Sequence, residues 1–198
     1  MKTIWLCIVI LLAFSSCGKK SDEVKVIVDP LTNASQQTGV ARNDLLVMAL
    51  MESGGRCSCD GGGLLQVKSG ARKQMNKLYH TDIDQQTINT DATTNALFGA
   101  RYLYYVTCEL KKKGYKNPTF AQRYIAYQQG TGGFYSLRKT LKKAPHTKIT
   151  PCQYVNLPGK IRGTSYSKST ITQQQYYNYW NRRVKNVQAE IATCHKNA

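Results

Sequence analysis

The sequence predicts a mostly α chain, and three stretches carry that prediction. The first is Leu45–Met51, seven apolar residues in a row that run into Glu52, Ser53, Gly54 and Gly55. The second runs from Thr94 to about Lys113, where Leu97, Ala100, Tyr104 and Cys108 recur at helical spacing and Tyr102, Leu103, Tyr105 and Val106 broaden the apolar surface, as in a central, mostly buried helix. The third is the tail, where Tyr176, Tyr177, Trp180, Val184, Val187 and Ile191 mark one face of a long helix. With 198 residues the chain is long enough for one domain with a sizeable core and short for two.

Residues 1–16 have the form of a secretory signal. Lys2 supplies the positive region, and Ile4–Phe14 is an apolar region too short to span a bilayer comfortably. Phe14-Ser15-Ser16-Cys17-Gly18 resembles a bacterial lipobox, in which the Cys becomes the lipidated first residue. Ordinary cleavage nearby is the alternative. Residues 17–33 are polar and charged and contain Pro30, so a tether is expected there, with a short strand as a candidate at Val24–Val28. The domain is expected to occupy residues 34–198.

The first helix is expected from Gln36 or Asn43 to Ser53, with Asn43 or Asp44 as its cap and Gly54 or Gly55 as its left-handed stop. Glu52 then lies in the last turn. Apolar neighbours and the negative end of the helix both disfavour its ionised form, which suits a general acid. Gly61-Gly62-Gly63 demands a sharp bend or a close approach. Lys68-Ser69 is not at the offset a phosphate loop needs. Ser69–Tyr79 predicts a helix with Met75 and Leu78 inward, and Asp84 opens a short one. Asp91 or Thr93 can cap the Thr94 helix, which Lys111–Lys113 and Gly114 end. Asn117-Pro118-Thr119 starts a helix that stops before Gly130, and Phe134–Lys143 forms another. Ala144–Ser169 is a loop with a hairpin as a candidate. Thr170-Ile171-Thr172-Gln173 has the spacing of a capping box for the last helix.

The formal charge of +17 points to an anionic environment or partner. Wall polymer, anionic lipid and nucleic acid are the candidates. Lysines and arginines run along the chain, which describes a solvated surface rather than a groove. Nucleic acid rests on charge alone, and none is expected. After Cys7 and Cys17, five cysteines remain: Cys57, Cys59, Cys108, Cys152 and Cys194. An exported chain can pair four of these. Cys152 with Cys194 is favoured, and Cys108 with Cys57 or Cys59 comes next. Cys57-Ser58-Cys59 has no second cysteine pair or suitable His, so no metal and no cofactor are expected. His80, His146 and His195 are isolated, with surface or loop placement expected.

Four motifs occur in order: Glu52-Ser53; Gly63-Leu64-Leu65-Gln66; Asn95-x3-Gly99-x2-Tyr102-Leu103; and Ala126-Tyr127-Gln128-Gln129-Gly130. Together they resemble the soluble-type lytic transglycosylases, lysozyme-like enzymes that cut bacterial peptidoglycan. The resemblance spans about Asn43 to Gly133. It implies a lysozyme-like helical domain with Glu52 as the acid/base. Ser53 would position the leaving part of the substrate. Gln66 and the backbone of Leu65 would hold sugar groups, and Tyr127 would orient Glu52. Gln128 replaces the family's Asn with a side chain one methylene longer. Leu65 replaces its Met, a volume-conserving change.

Glycosidases usually use two carboxylates roughly 5 to 9.5 Å apart. A transglycosylase needs one, because the muramoyl 6-hydroxyl closes a 1,6-anhydro ring in place of water. Asp60 is the nearest downstream carboxylate for a hydrolytic lysozyme, and a non-catalytic wall-binding protein is a further alternative. The partners implied are peptidoglycan strands, the membrane through a lipid on Cys17, and a secretion or conjugation apparatus. The implied location is periplasmic, on the outer membrane.

Overall fold

The structure is a computed structural model that describes residues 22–56, 62–151, 153, 156–157 and 171–196; the side chains of 22–28 and 194–196 are excepted. Seven helices are present among the described residues: α1 Asp22–Thr38, α2 Arg42–Glu52, α3 Ser69–Tyr79, α4 Gln85–Thr90, α5 Ala92–Lys112, α6 Phe120–Lys143 and α7 Gln173–Lys196. The only β pairing among them is an isolated antiparallel bridge between Lys148 and Thr172. The expected mostly helical class is therefore observed. The chain divides into two compact units, Met1–Tyr105 with Asn186–Ala198, and Val106–Lys185. The signal, Cys17, and residues Cys57 to Gly61 lie outside the described residues.

In the first unit, the stretch read as a tether is largely helix. Residues 22–28 lie in α1 rather than in a strand, and the element packs against α2. The reason lies downstream, where Pro30, Leu31 and Ala34 are buried, so burial extends the domain before residue 34. Gly39, at φ +70°, ends α1 by donating its N–H to the Ser35 carbonyl. The cap of α2 also differs from expectation. Ala41 stands at that position without a side-chain hydrogen bond, and Asn43 and Asp44 are already helical. In α3, Met75 is fully buried, but Leu78 is 45 % exposed. His80 ends α3 in the left-handed conformation, and Asn76 and Arg72 both donate to the Ile83 carbonyl. Asp84 caps α4 by accepting from the Thr87 N–H at 2.7 Å.

The apolar stripe of α5 is rotated from the one the spacing predicts. Ala96, Gly99, Ala100, Leu103, Val106 and Leu110 are buried, and Tyr104 is 49 % exposed. Cys108 is half-buried. A run this rich in apolar residues offers two plausible stripes, and the small residues at 96, 99 and 100 select the one that allows close approach. Asp91 caps the helix, accepting from the Thr94 N–H at 2.8 Å.

In the second unit, Thr119 and Gln122 form a complete capping box at the start of α6. The helical path breaks at Gly130, with φ 72° and ψ 161°, a conformation essentially reserved for glycine. Helix resumes immediately after it rather than at Phe134. The last capping box is Thr172 with Gln175, two residues beyond the predicted one. In α7, Tyr176, Trp180, Val184, Val187 and Ile191 are buried as expected, and Tyr177 is half-buried. Trp180 meets Tyr124, Tyr176 and Tyr179 edge-on.

The rotated stripe predicts unequal costs for neighbouring truncations. Leu103→Ala is expected to lose about 2–5 kcal/mol. Tyr104→Ala is expected to stay within about 0.5 kcal/mol. Urea unfolding followed by circular dichroism measures both. Capping generates a pH prediction. The Thr87 backbone hydrogen bond holds the Asp84 carboxyl below its ordinary value of 3.8. The cap's contribution is therefore present above that value and lost as pH falls through the lower folded value. Thermal melts of Asp84→Asn should lack this acid-limb component, which native protein shows.

Candidate functional site

Glu52 is the last residue of α2 and is half-buried. The helix end that carries it is closed tightly. The Ala49 carbonyl accepts from the Ser53 N–H at 3.0 Å, the Ser53 hydroxyl at 3.1 Å and the Gly55 N–H at 3.0 Å. That path requires positive φ at Gly54 (66°) and Gly55 (80°), which glycine adopts without steric cost. Arg56 Nε donates back to the Ser53 carbonyl at 3.1 Å. Ser53 is only 4 % exposed. Its hydroxyl serves the helix end, so the substrate-positioning role implied by the resemblance has no open hydroxyl here.

The second motif forms a turn. Val67 N–H donates to the Gly62 carbonyl at 3.0 Å, and Gln66 N–H donates to the Gly63 carbonyl at 3.2 Å. Gly63 and Gln66 both have positive φ, at 65° and 50°. A non-glycine residue in that region is uncommon and is held there by its surroundings. Leu64, Leu65 and Val67 are fully buried beneath the turn. Gln66 is half-buried, and its Nε2 donates to the Gly63 carbonyl at 3.0 Å.

Asn95 holds this turn from α5. It is fully buried. Its Nδ2 donates to the Gly62 carbonyl at 2.7 Å and to the Ile88 carbonyl at 2.8 Å. Its Oδ1 accepts from the Leu65 N–H at 2.7 Å. Both amide donors and the acceptor are therefore used. One turn later, Gly99 leaves room for Leu65; a Cβ there would come within 2.8 Å of the Leu65 Cβ. At Gly63 an added Cβ would collide with the Asn95 amide. Gln85 adds a further brace, donating to the Val67 carbonyl at 2.9 Å. The motif spacing flags Asn95 and Gly99 but not their task, which is to fix the turn. Gln85 carries no signal in the sequence.

The Leu65 N–H is committed to Asn95, so that group is not open to a sugar. Gln128 and Tyr127 belong to the second unit. Tyr127 is buried. Gln128 Nε2 donates to the Tyr124 hydroxyl at 2.8 Å, which turns its longer amide toward a neighbouring ring. Cys108 is half-buried with a free thiol, and its candidate partners Cys57 and Cys59 are not among the described residues. Cys57, Cys59, Cys152 and Asp60 lie outside the described residues, as does the Cys194 side chain. His80 and His146 are exposed. Among the described residues, no group of three His, Cys, Asp or Glu side chains could hold a metal ion. Among them, too, no helix is long and apolar enough to cross a membrane.

No family model matches the sequence, and no curated protein matches it. The resemblance therefore rests on the four sequence motifs alone.

Removing the Asn95 amide leaves the Leu65 N–H and the Ile88 carbonyl buried without that partner, while the Gly62 carbonyl keeps the Val67 N–H. Asn95→Ala is expected to cost about 3 kcal/mol or more, since each orphaned group costs about 1–3 kcal/mol. Gly99→Ala is expected to cost about 1–3 kcal/mol through overpacking on Leu65. Denaturant midpoints check both, and Gly70→Ala, where an added Cβ meets nothing within 4 Å, is the comparison.

Proposed function

We propose that this chain is a peptidoglycan lytic transglycosylase in which Glu52 is the single acid/base. One observation carries the reading. The second and third motifs, some thirty residues apart in sequence, are joined directly by the three hydrogen bonds of Asn95 and by the Gly99–Leu65 contact. The contact makes these two motifs one structural unit, which supports the reading. Glu52, one turn beyond the buried Met48 and Ala49 on the same face of its helix, supplies the carboxyl that the chemistry needs.

The proposed reaction consumes no water. Glu52 gives its proton to the glycosidic oxygen between N-acetylmuramic acid and N-acetylglucosamine as the C1–O bond breaks. The resulting carboxylate takes the proton of the muramoyl 6-hydroxyl, whose oxygen bonds to C1. The products are an N-acetylglucosamine end and a 1,6-anhydromuramoyl end. Gln66 is the proposed sugar contact, because its strained backbone fixes where its side chain starts. The proposed location is periplasmic, with the chain anchored through a lipid on Cys17.

One observation favours a non-catalytic wall-binding protein instead. The Ser53 hydroxyl and the Gln66 and Gln128 amide nitrogens, all expected on substrate, donate within the protein, which leaves Gln66 its amide oxygen for a sugar. A single digestion separates these readings. Purified peptidoglycan treated with the protein is expected to release fragments with anhydromuramoyl ends, identified by mass. Glu52→Gln is expected to lower that release at least about a hundredfold, the usual scale for loss of a general acid. Reducing muramic ends would indicate a hydrolytic lysozyme, and no fragments with intact wall binding would leave the binding protein.

A further inference from the structure

The positive charge is partitioned between the two units. Val106–Lys185 contains sixteen lysines and arginines and a single acidic residue, Glu109. The other 118 residues contain twelve basic and ten acidic residues, so they are close to neutral. Glu109 is itself paired, with Lys112 at 2.7 Å, the only ion pair among the described residues. The basic charge is thus concentrated in the unit that does not contain Glu52.

We propose that the basic side chains displayed on α6, on the segment after it and on α7 within Val106–Lys185 form a wall-retention surface that holds peptidoglycan through the carboxylates of its stem peptides. The inference rests on the proposed function for the identity of the polymer, and on charge and packing for the rest. Lys139, Lys142, Lys143, Lys148, Arg182 and Lys185 are exposed. Their display is fixed rather than floppy at the backbone. The Lys148–Thr172 bridge, with Ile149 donating to the Ile171 carbonyl at 3.0 Å and Gln173 to the Thr147 carbonyl at 2.8 Å, ties the segment after α6 to the start of α7.

Packing decides which polyanion fits. Nucleic-acid surfaces use free arginines for phosphate and base edges and open aromatic faces for stacking. Here Arg123 lies over Phe120 at 5.3 Å and Arg138 over Tyr177 at 5.2 Å, so these arginines and rings cover one another. Membrane-binding faces pair basic residues with apolar side chains that insert. The large apolar side chains exposed among the described residues are Leu78, Tyr79 and Tyr104, and all three belong to the other unit. Among the described residues, the exposed cations of this unit are lysines with the exception of Arg182, and a lysine is a strongly hydrated point charge. Such a surface suits a hydrated polymer with spaced carboxylates.

The test is sedimentation of the full chain carrying Glu52→Gln with isolated sacculi, across about 50 to about 500 mM salt. Lys139→Gln, Lys142→Gln and Lys143→Gln together should weaken binding about tenfold and flatten its salt dependence. Lys68→Gln, Lys73→Gln and Lys77→Gln remove the same charge from the other unit and should change binding less than about twofold. Equal losses from both triples, or binding indifferent to salt, would overturn the proposal. Tighter binding to single-stranded DNA or to phosphatidylglycerol vesicles than to sacculi would overturn it in favour of that partner. The two failures are distinguishable. Anhydromuramoyl ends without retention defeat this inference alone, and retention without such ends defeats the catalytic reading alone.

Discussion

The constraint on which the candidate site depends is the buried amide of Asn95. A polar side chain inside an apolar interior is tolerated only when its hydrogen bonds are made. Asn95 makes them with the carbonyls of Gly62 and Ile88 and the N–H of Leu65. The arrangement works in both directions. The turn has backbone groups that no regular helix or sheet would satisfy, and the amide has donors and an acceptor that apolar neighbours could not. Each makes the burial of the other affordable. Leu64, Leu65 and Val67 can then be fully buried beneath a turn that has no ladder of its own. The glycines follow from this, because Gly63 must admit the amide and Gly99 must admit Leu65.

The end of α2 solves a related problem. A helix leaves its last carbonyls without partners. Here Ser53 and Gly55 converge on the Ala49 carbonyl, and the two glycines turn the chain sharply away. A carboxylate at such a terminus experiences the negative end of the helix dipole. Glu52 is thus held on a backbone fixed by the residues that follow it. The hydroxyl of its neighbour Ser53 donates to the Ala49 carbonyl and closes the helix end.

Much of this was legible in the sequence, and the failures share a cause. The apolar run into Glu52, the break at Gly130 and the buried face of α7 were readable because each has one dominant local signal: a run, a glycine or a clean repeat. The start of the domain was misread because Val24–Val28 fits a strand as well as a helix, and only the burial of Leu31 and Ala34 decides between them. The stripe of α5 was misread because its sequence offers two apolar faces. Competing caps were misread likewise. Thr170 and Thr172 both fit a capping pattern, and Gln175 selects the second. In the candidate site, motif spacing marks Asn95 and Gly99 but not their partners. That Asn95 meets Gly62 depends on chain folding across thirty-three residues, for which no local spacing is a guide.

The partition of charge completes the physical picture. A unit with sixteen basic residues and one acidic residue repels itself, which lowers its stability. The fold limits that cost in two ways. Arg123 and Arg138 are laid against aromatic rings, where the guanidinium gains a favourable contact without an acidic partner. The described lysines stay exposed, where water screens them. Neither device neutralises the charge, so anions from outside the chain would lower the remaining repulsion. A polyanion does this better than salt, because its charges are already joined and are bound together. The rest of the chain, which carries Glu52 and the turn braced by Asn95, is close to neutral, with twelve basic and ten acidic residues.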